Sequence, residues 1–474
     1  MNRRGDRLIE IEGSRVLIAG FGLEGAAAYR YLRGVSSESA LGVYDEKNIA
    51  GLALPGDVLS SLESDKNTKW FQRSEEIDCS AYDFLLKSPG IRPSHPLLLR
   101  AHQTGLRIVT QIQLLFDRAR RDQIIGITGT KGKSTTSTLL ASVLETSGVR
   151  CSLIGNIGNP VIPIAMSPES NSTFVVELSS YQLSSVDCSP HIAVIQGIVP
   201  EHLDYHGSLD AYVEAKENIT RFQSGSDFCI FNADSPISSI LAGRSAAQKI
   251  PISIEKPLSI GGYLSDDALV VKTNESEWRI DRKIVPPDEL PGDFNLYNVL
   301  AALIAAKLAG ASIEGAQNAI KQFRALPHRM RVVAIVNGVK FIDDSIATVP
   351  AATIAALSTL GASVQTLILG GFDRGVPYEE LAEFIIAKTE VANVIVMPPS
   401  GIRLSALLNE AANRTHRHIV IESCQNMRDV VEFAKAHTDS GRACLLSPAA
   451  PSFGLFTNYK ERGDAFRDAA LRNV

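Results

Sequence analysis

"GITGTKGKSTT", residues 126–136, decides how the rest of the chain is read. It is a Gly-rich turn between the apolar run that opens "QIIGITGTKGKS" (123–134) and a helix-like segment. Backbone amides in such a turn, aimed along a helix N-terminus, cradle phosphates. Lys133 can reach the β and γ groups, and Ser134 or Thr135 can ligate Mg²⁺. Position 127 lacks the first glycine of the strict G-x-x-x-x-G-K-[ST] pattern, yet Gly129, Thr130, Lys131 and Gly132 keep the working parts. A plain surface turn is the bland alternative, and the position between strand and helix argues against it.

Two other apolar runs empty into glycines in the same way: "RVLIAGFGLEG" at 15–25 and "TLILGGFDRG" at 366–375. Each is set among Ala/Leu-rich helical periodicity, the alternation of parallel α/β domains. Three openings match the three domains that 474 residues imply at about 150 residues each. The expected domains are 1–110, 111–325 and 326–474, with a strand-rich excursion at 253–290. Hydrophobic residues at 45% and charged residues at 21% describe an ordinary globular protein, and a net charge of -5 gives no electrostatic case for nucleic acid or an anionic membrane. Six cysteines without a C-x-x-C pair signal neither zinc nor a disulfide framework. The start, "MNRRGDRLIEIEGSRVLIAG", has no apolar stretch of signal type, so a cytoplasmic location without membrane insertion is expected.

The first opening satisfies G-x-G-x-x-G from Gly20 to Gly25, with Asp45 ending the next strand-like run. That is the fingerprint of a dinucleotide site, but its physics asks only for a tight turn facing an anion, and any diphosphate would serve. After the second opening, "FVVELSSYQL" places Glu177 at a strand end, where a metal beside the phosphates would find it. "VPEHLDYHGSLDAYVEAKENI" then offers His202 and, on a helix, Lys216 beside the apolar stripe Ala211, Ala215, Ile219 and Phe222. The ordinary reading of such a lysine is a snorkelling side chain; a chemical role needs its neutral amine.

Taken together, "TGTKGKSTT", "VVELSSYQL", "EHLDYHGSLDAYVEAKENI", "LPGDFNLYNVLAAL", "LPHRMR", "DDSIATVPAA" and "LLSPAAPSFGLFTNYKERGDAF" resemble, in order and spacing, the Mur ligases of peptidoglycan synthesis, nearest to their glutamate-adding branch. The resemblance implies a Rossmann-like UDP-binding domain, a central P-loop ATPase domain and a C-terminal Rossmann-like domain. It implies ATP-dependent joining of glutamate to UDP-N-acetylmuramoyl-L-alanine through an acyl phosphate, with two Mg²⁺ sites near Ser134, Glu177 and His202. Lys216 aligns with the family's carbamylated lysine. Leu23, Glu24 and Asp45 match the uridine-site turn; Ser88, Gly90, Asn156 and His202 match further UDP-substrate contacts. Asn295 falls at the adenine position, though Phe294 stands where a histidine is usual. His328, Arg329 and Asp344 align with residues that close over ATP, and a monomer is expected.

Two departures touch the amino-acid pocket. Ile346 follows Ser345 where a lysine is common, and "GGFDRG" replaces the usual Gly-Gly-Asp-Gly-Lys, leaving Arg374 as the cation and Thr348, Ser452 and Tyr459 as polar contacts. A buried glutamate carboxylate without a cationic partner is costly. D-glutamate is the default of the branch and L-glutamate the alternative. More distant readings are a folylpolyglutamate synthase-like ligase, an NAD-dependent oxidoreductase and a non-catalytic nucleotide-binding scaffold.

Overall fold

A computed structural model of the chain describes residues 9–49, 52, 54, 56–274 and 276–472. The first eight residues of the stretch read for a signal lie outside the described residues. The mixed α/β chain builds three sheets. It divides into two compact units, Met1–Ile284 with Leu296–Lys321, and Val285–Asn295 with Gln322–Val474.

In the first unit the N-terminal sheet runs in the order Thr68–Phe71, Leu41–Tyr44, Val16–Ala19, Phe84–Lys87, Arg107–Val109, with every pairing parallel. The strand "VLIA" is buried throughout, as a strand covered on both faces must be. Strand order reverses between Val16–Ala19 and Phe84–Lys87, so a crevice opens at their carboxyl ends. Gly20–Gly25 and Ser88–Gly90 follow those two strands.

The second sheet of this unit has nine strands. Ile124–Thr128 lies between Thr173–Glu177 and Ile192–Ile195, all parallel, which places another reversal directly under the phosphate-type loop. Within the expected excursion, Gly261–Ser265, Ala268–Lys272 and Glu277–Asp281 extend the far edge as an antiparallel meander. The outermost strand alternates exposed and buried, the pattern of a one-sided edge. One apolar core joins both sheets: Val16 and Ile18 belong to it, as do Phe174 and Val176, and the helix Gln111–Arg118 contributes Ile112, Leu115 and Phe116.

The second unit holds a six-stranded sheet ordered Arg331–Val336, Val339–Asp343, Ala443–Leu446, Val364–Gly370, Asn393–Met397, Val420–Ser423. Only its first pairing is antiparallel. Three neighbouring strands, Val339–Asp343, Ala443–Leu446 and Val364–Gly370, therefore end on one edge and release their loops side by side. All six cysteines are free, and among the described residues no helix is long and apolar enough to cross a membrane.

Candidate active site

The phosphate-type loop owes its shape to two glycines in conformations that L side chains rarely adopt. Gly129 has φ +151, and a Cβ there would sit 2.7 Å from Gln196 Cβ; Gly132 has φ +85, and a Cβ there would sit 2.2 Å from Asn298 Oδ1. Gly132 caps the helix Lys133–Thr146, whose first turn holds Lys133, Ser134 and Thr135, and Ser134 is buried. Thr130 Oγ1 donates to Val199 O (2.9 Å) and pairs with Tyr212 OH (2.9 Å), pinning the loop from behind.

Two amines converge on one carbonyl oxygen of this loop. Lys133 Nζ donates to Gly129 O at 3.0 Å and Thr130 O at 3.1 Å, while Lys216 Nζ donates to Gly129 O at 2.9 Å and Thr128 Oγ1 at 3.3 Å. Lys216 does not snorkel: it is 2% exposed, lies 4.8 Å from the Tyr212 ring centroid, and belongs to the buried face of the helix Leu209–Arg221. Phe222, assigned from the spacing to the apolar stripe, is instead exposed. Burial holds the Lys216 ammonium well below its ordinary pKa, and the charge of Lys133 pushes it further down.

Glu177 ends the strand Thr173–Glu177 and is completely buried. Its Oε1 accepts from Asn156 Nδ2 at 2.8 Å, whereas its Oε2 is buried with no hydrogen-bond partner. Leaving a buried carboxylate oxygen unpaired is costly, so this atom fits a bound cation. Among the described residues no three His, Cys, Asp or Glu side chains cluster as a metal cage. Mg²⁺ requires none, since it is normally held by one or two protein groups together with phosphate oxygens and water. His202 has φ +57; its Nε2 is 3.6 Å from Glu201, whose other oxygen is 3.6 Å from Lys131 Nζ.

At the N-terminal crevice, Asp45 accepts from the amides of Phe21 (2.8 Å) and Lys47 (3.0 Å), so its carboxylate shapes the turn. A Cβ on Gly25 would lie 2.3 Å from Gly20 O, which explains the last glycine of the fingerprint. Ser88 Oγ donates to Gly20 O at 2.7 Å and ties the two loops together. Leu23 is 77% exposed at the start of the helix Leu23–Val35, and Gly90 has open space around its Cα. Glu24 accepts from Gln182 at 3.1 Å, and burial pushes its carboxyl up to about 7. Nearby Lys87 is buried, donates to Ser185 Oγ at 3.4 Å, and is held down at about 8.

The remaining candidates belong to the second unit. Asn295 is buried, and its Nδ2 donates to Pro291 O at 2.7 Å. His328 has φ +65; its Nδ1 pairs with Asp343 Oδ2 at 2.7 Å and its ring meets Tyr459 edge-on at 5.8 Å. Asp344 accepts from Ser447 Oγ (2.8 Å) and the Met330 amide (3.3 Å); burial raises its carboxyl to about 7, partly opposed by the charge of Arg329. Thr348 and Ile346 are half-buried, Ser452 is buried, and Arg374 is exposed. Its neighbour Asp373, not Arg374, pairs with Arg403, at 2.7 and 3.0 Å.

Several of the partnerships in the site carried no sequence signal. Asn156, read as a substrate contact, spends its amide on Glu177, and Gln196 and Asn298 meet at Thr136 behind the loop (2.8 and 3.3 Å). Gln182, within a quoted motif, was not singled out although it reaches across to the N-terminal turn.

Known proteins resemble this chain in sequence and in fold. Residues 127–306 match the Mur ligase middle domain and residues 328–450 the Mur ligase, glutamate ligase domain. The chain is 36% identical over 390 residues to the UDP-N-acetylmuramoylalanine–D-glutamate ligase of Geobacillus kaustophilus, covering 82% of this chain and 83% of the relative. It is 31% identical over 464 residues to the enzyme of the same name from Acetivibrio thermocellus, covering 97% and 96%. Among solved structures, the UDP-N-acetylmuramate-alanine ligase MurC of Thermotoga maritima has a similar fold, with TM-score 0.60, 15% identity and 96% and 98% of the two chains covered. MurF of Acinetobacter baumannii is similar at TM-score 0.59 and 15% identity over 98% and 95%.

Proposed function

The chain belongs to the Mur ligase family and is an ATP-dependent ligase, and from that premise we propose that it joins D-glutamate to UDP-N-acetylmuramoyl-L-alanine. The observation that carries the reading is the pair of amines, Lys133 and Lys216, gathered on Gly129 O. Burial and the neighbouring charge of Lys133 favour the neutral amine at Lys216, so Lys133 is the ammonium of the pair that an incoming polyphosphate meets.

A carboxylate does not react with an amine because oxide is a very poor leaving group. In the proposed reaction the alanine carboxylate oxygen attacks the γ-phosphorus of ATP and ADP departs. The glutamate amine then attacks the acyl carbon, phosphate leaves with the former carboxylate oxygen, and the nitrogen loses a proton to give the amide. Both reactants are anionic, so the protein's part is positioning and charge compensation. Gly129, Thr130, Lys131, Gly132, Lys133, Ser134 and Thr135 surround the phosphates, with the Lys133 ammonium turning from the loop carbonyls to the transferred group. Mg²⁺ would be held by Ser134 and Glu177, and a second ion by His202 and Lys216 as its carbamate; each would neutralise phosphate oxygens. Carbamylation needs a neutral amine, which the burial of Lys216 favours.

The three-domain division at 110 and 325 follows the same reading. Leu23, Glu24, Asp45, Ser88, Gly90 and Asn156 form the UDP-substrate site, with His202 contributing. Asn295, Arg329 and Asp344 serve ATP, His328 is held by Asp343 for the catalytic step, and Thr348, Arg374, Ser452 and Tyr459 receive glutamate. Phosphate release from ATP is the test, with UDP-N-acetylmuramoyl-L-alanine and each amino acid supplied in turn. Release is expected only with the acceptor present and faster with D-glutamate than with L-glutamate. Equal release without the acceptor overturns the ligase reading, and faster turnover with L-glutamate overturns the enantiomer.

A further inference from the structure

The third sheet holds a buried cation that the chemistry above does not use. Arg462, on the helix Tyr459–Leu471, is 1% exposed and is the largest fully buried side chain among the described residues. Its Nε donates to Ser345 Oγ (3.0 Å), its Nη2 to Ser345 O (2.8 Å), and its Nη1 to Ala450 O (3.0 Å) and, at longer range, Gly370 O (3.5 Å). These acceptors lie at the carboxyl ends of three neighbouring strands, Val339–Asp343, Ala443–Leu446 and Val364–Gly370. A planar guanidinium presents several donors in a fixed fork and can hold three chains at once, which a lysine's point charge cannot. Burial lowers it to about 10 against the opposing pull of Asp343, so it stays charged at neutral pH.

The packing around the fork leaves it no slack. A Cβ on Gly463 would lie 2.1 Å from His328 Nδ1 and 2.5 Å from Asp343 Oδ2, so only glycine lets this helix seat so closely. Gly371 has φ +146, and a Cβ there would lie 2.2 Å from Pro451 O and 3.0 Å from Arg462 Nη1. Ser345 Oγ also donates to Tyr459 O at 2.8 Å, closing the circuit back to the helix that carries Arg462.

We propose that Arg462 is the positioning residue of the amino-acid pocket, fixing the mutual spacing of the three loops and the helix start that bear Thr348, Arg374, Ser452 and Tyr459. Each loop candidate follows an Arg462 acceptor within a few residues: Thr348 after Ser345, Arg374 after Gly370, Ser452 after Ala450. The inference rests on the reading that these residues receive glutamate. A merely structural arginine would, when altered, lower stability and disturb every kinetic constant alike.

The experiment is steady-state phosphate release by the full chain for Arg462→Lys, Thr348→Ala and Ser452→Ala, with KM taken separately for glutamate, ATP and the UDP substrate. R462K is expected to raise the glutamate KM about tenfold while the other two constants move less than about twofold. If T348A and S452A raise the glutamate KM and R462K does not, the positioning role is wrong and the pocket stands. If T348A and S452A leave the glutamate KM unchanged, the pocket reading fails and takes this inference with it. A uniform rise in all three constants for R462K overturns the inference in favour of plain structural support. Should R462K melt below the assay temperature, Ser345→Ala removes one acceptor of the fork while leaving the arginine; a glutamate-selective rise of about threefold supports the role, and an unchanged glutamate KM overturns it.

Discussion

The two glycine turns of the first unit share a backbone plan and differ in charge. Both follow a central parallel strand at a reversal of strand order, and both open a helix. The turn at Gly20–Gly25 is flanked by Asp45 and by Glu24, with Lys87 buried nearby. The turn at Gly129–Lys133 draws two lysines onto one carbonyl and follows a strand paired with the one that ends at Glu177, whose Oε2 is buried without a hydrogen-bond partner. The same fold element can therefore serve a diphosphate held by amides or a polyphosphate held by cations and metal. Side-chain charge, not the glycine pattern, tells them apart.

The largest contrast between the two turns is expected from Lys133→Ala, which removes the cation proposed to meet the phosphates. It is expected to lower kcat/KM by about a thousandfold or more in phosphate release, with the UDP-substrate Kd nearly unchanged by calorimetry. Lys216→Met separates chemistry from stability. Activity is expected to fall by at least about a hundredfold, yet the melting temperature should hold or rise, because a buried amine near a like charge is replaced by an apolar chain of similar length. Labelled bicarbonate should give a carbamate resonance in the parent and none in the variant.

The glycines themselves give a smaller contrast. Gly132→Ala forces a Cβ towards Asn298 at a left-handed φ and should cost about 1–3 kcal/mol in denaturant unfolding. Gly22→Ala, at φ -78 with nothing within 4 Å, should change stability by less than about 0.5 kcal/mol. On the proposed function its effect is expected on the UDP-substrate KM, because the added Cβ would crowd the turn proposed to hold the diphosphate. The smallest effect is the pH signature of Glu24. Its native carboxyl is raised from 4.5 to about 7, so the folded state keeps the proton longer than the unfolded chain. That contribution to stability is full at low pH and is lost as pH rises through about 7. Glu24→Gln, which mimics the protonated form while Gln182 and Lys87 remain, should flatten unfolding stability across that window. An unaltered slope would show that Glu24 is not the group titrating.

Much of the fold was legible because its signals are local. "RVLIAG", "QIIGIT" and "TLILGG" each place a strand and the turn after it within a dozen residues, and all three strands form. The phosphate loop was legible for the same reason, since its amides, Lys133 and Ser134 are contiguous. Its supports were not: Asn156 meets Glu177 where two paired parallel strands end, and Gln196 and Asn298 meet Thr136 from the end of a distant strand and from a distant helix, while at the N-terminal turn Gln182 meets Glu24 from a helix that follows a strand of a different sheet. The second unit adds Arg462, which looks in sequence like one charge in "NYKERGD" and becomes, once the sheet forms, a buried fork among three loops.

Local stereochemistry and periodicity fix the inventory from the chain alone: three strand-to-glycine openings, a lysine and hydroxyl at the head of a helix, and acids and amines at fixed spacings. The state of those groups was set by packing across the fold. Lys216 could have been a solvated amine, Glu177 half of an ion pair and Arg462 a surface charge. Desolvation and the choice of partner depend on what packs against a side chain from elsewhere in the chain, and no local pattern carries that information.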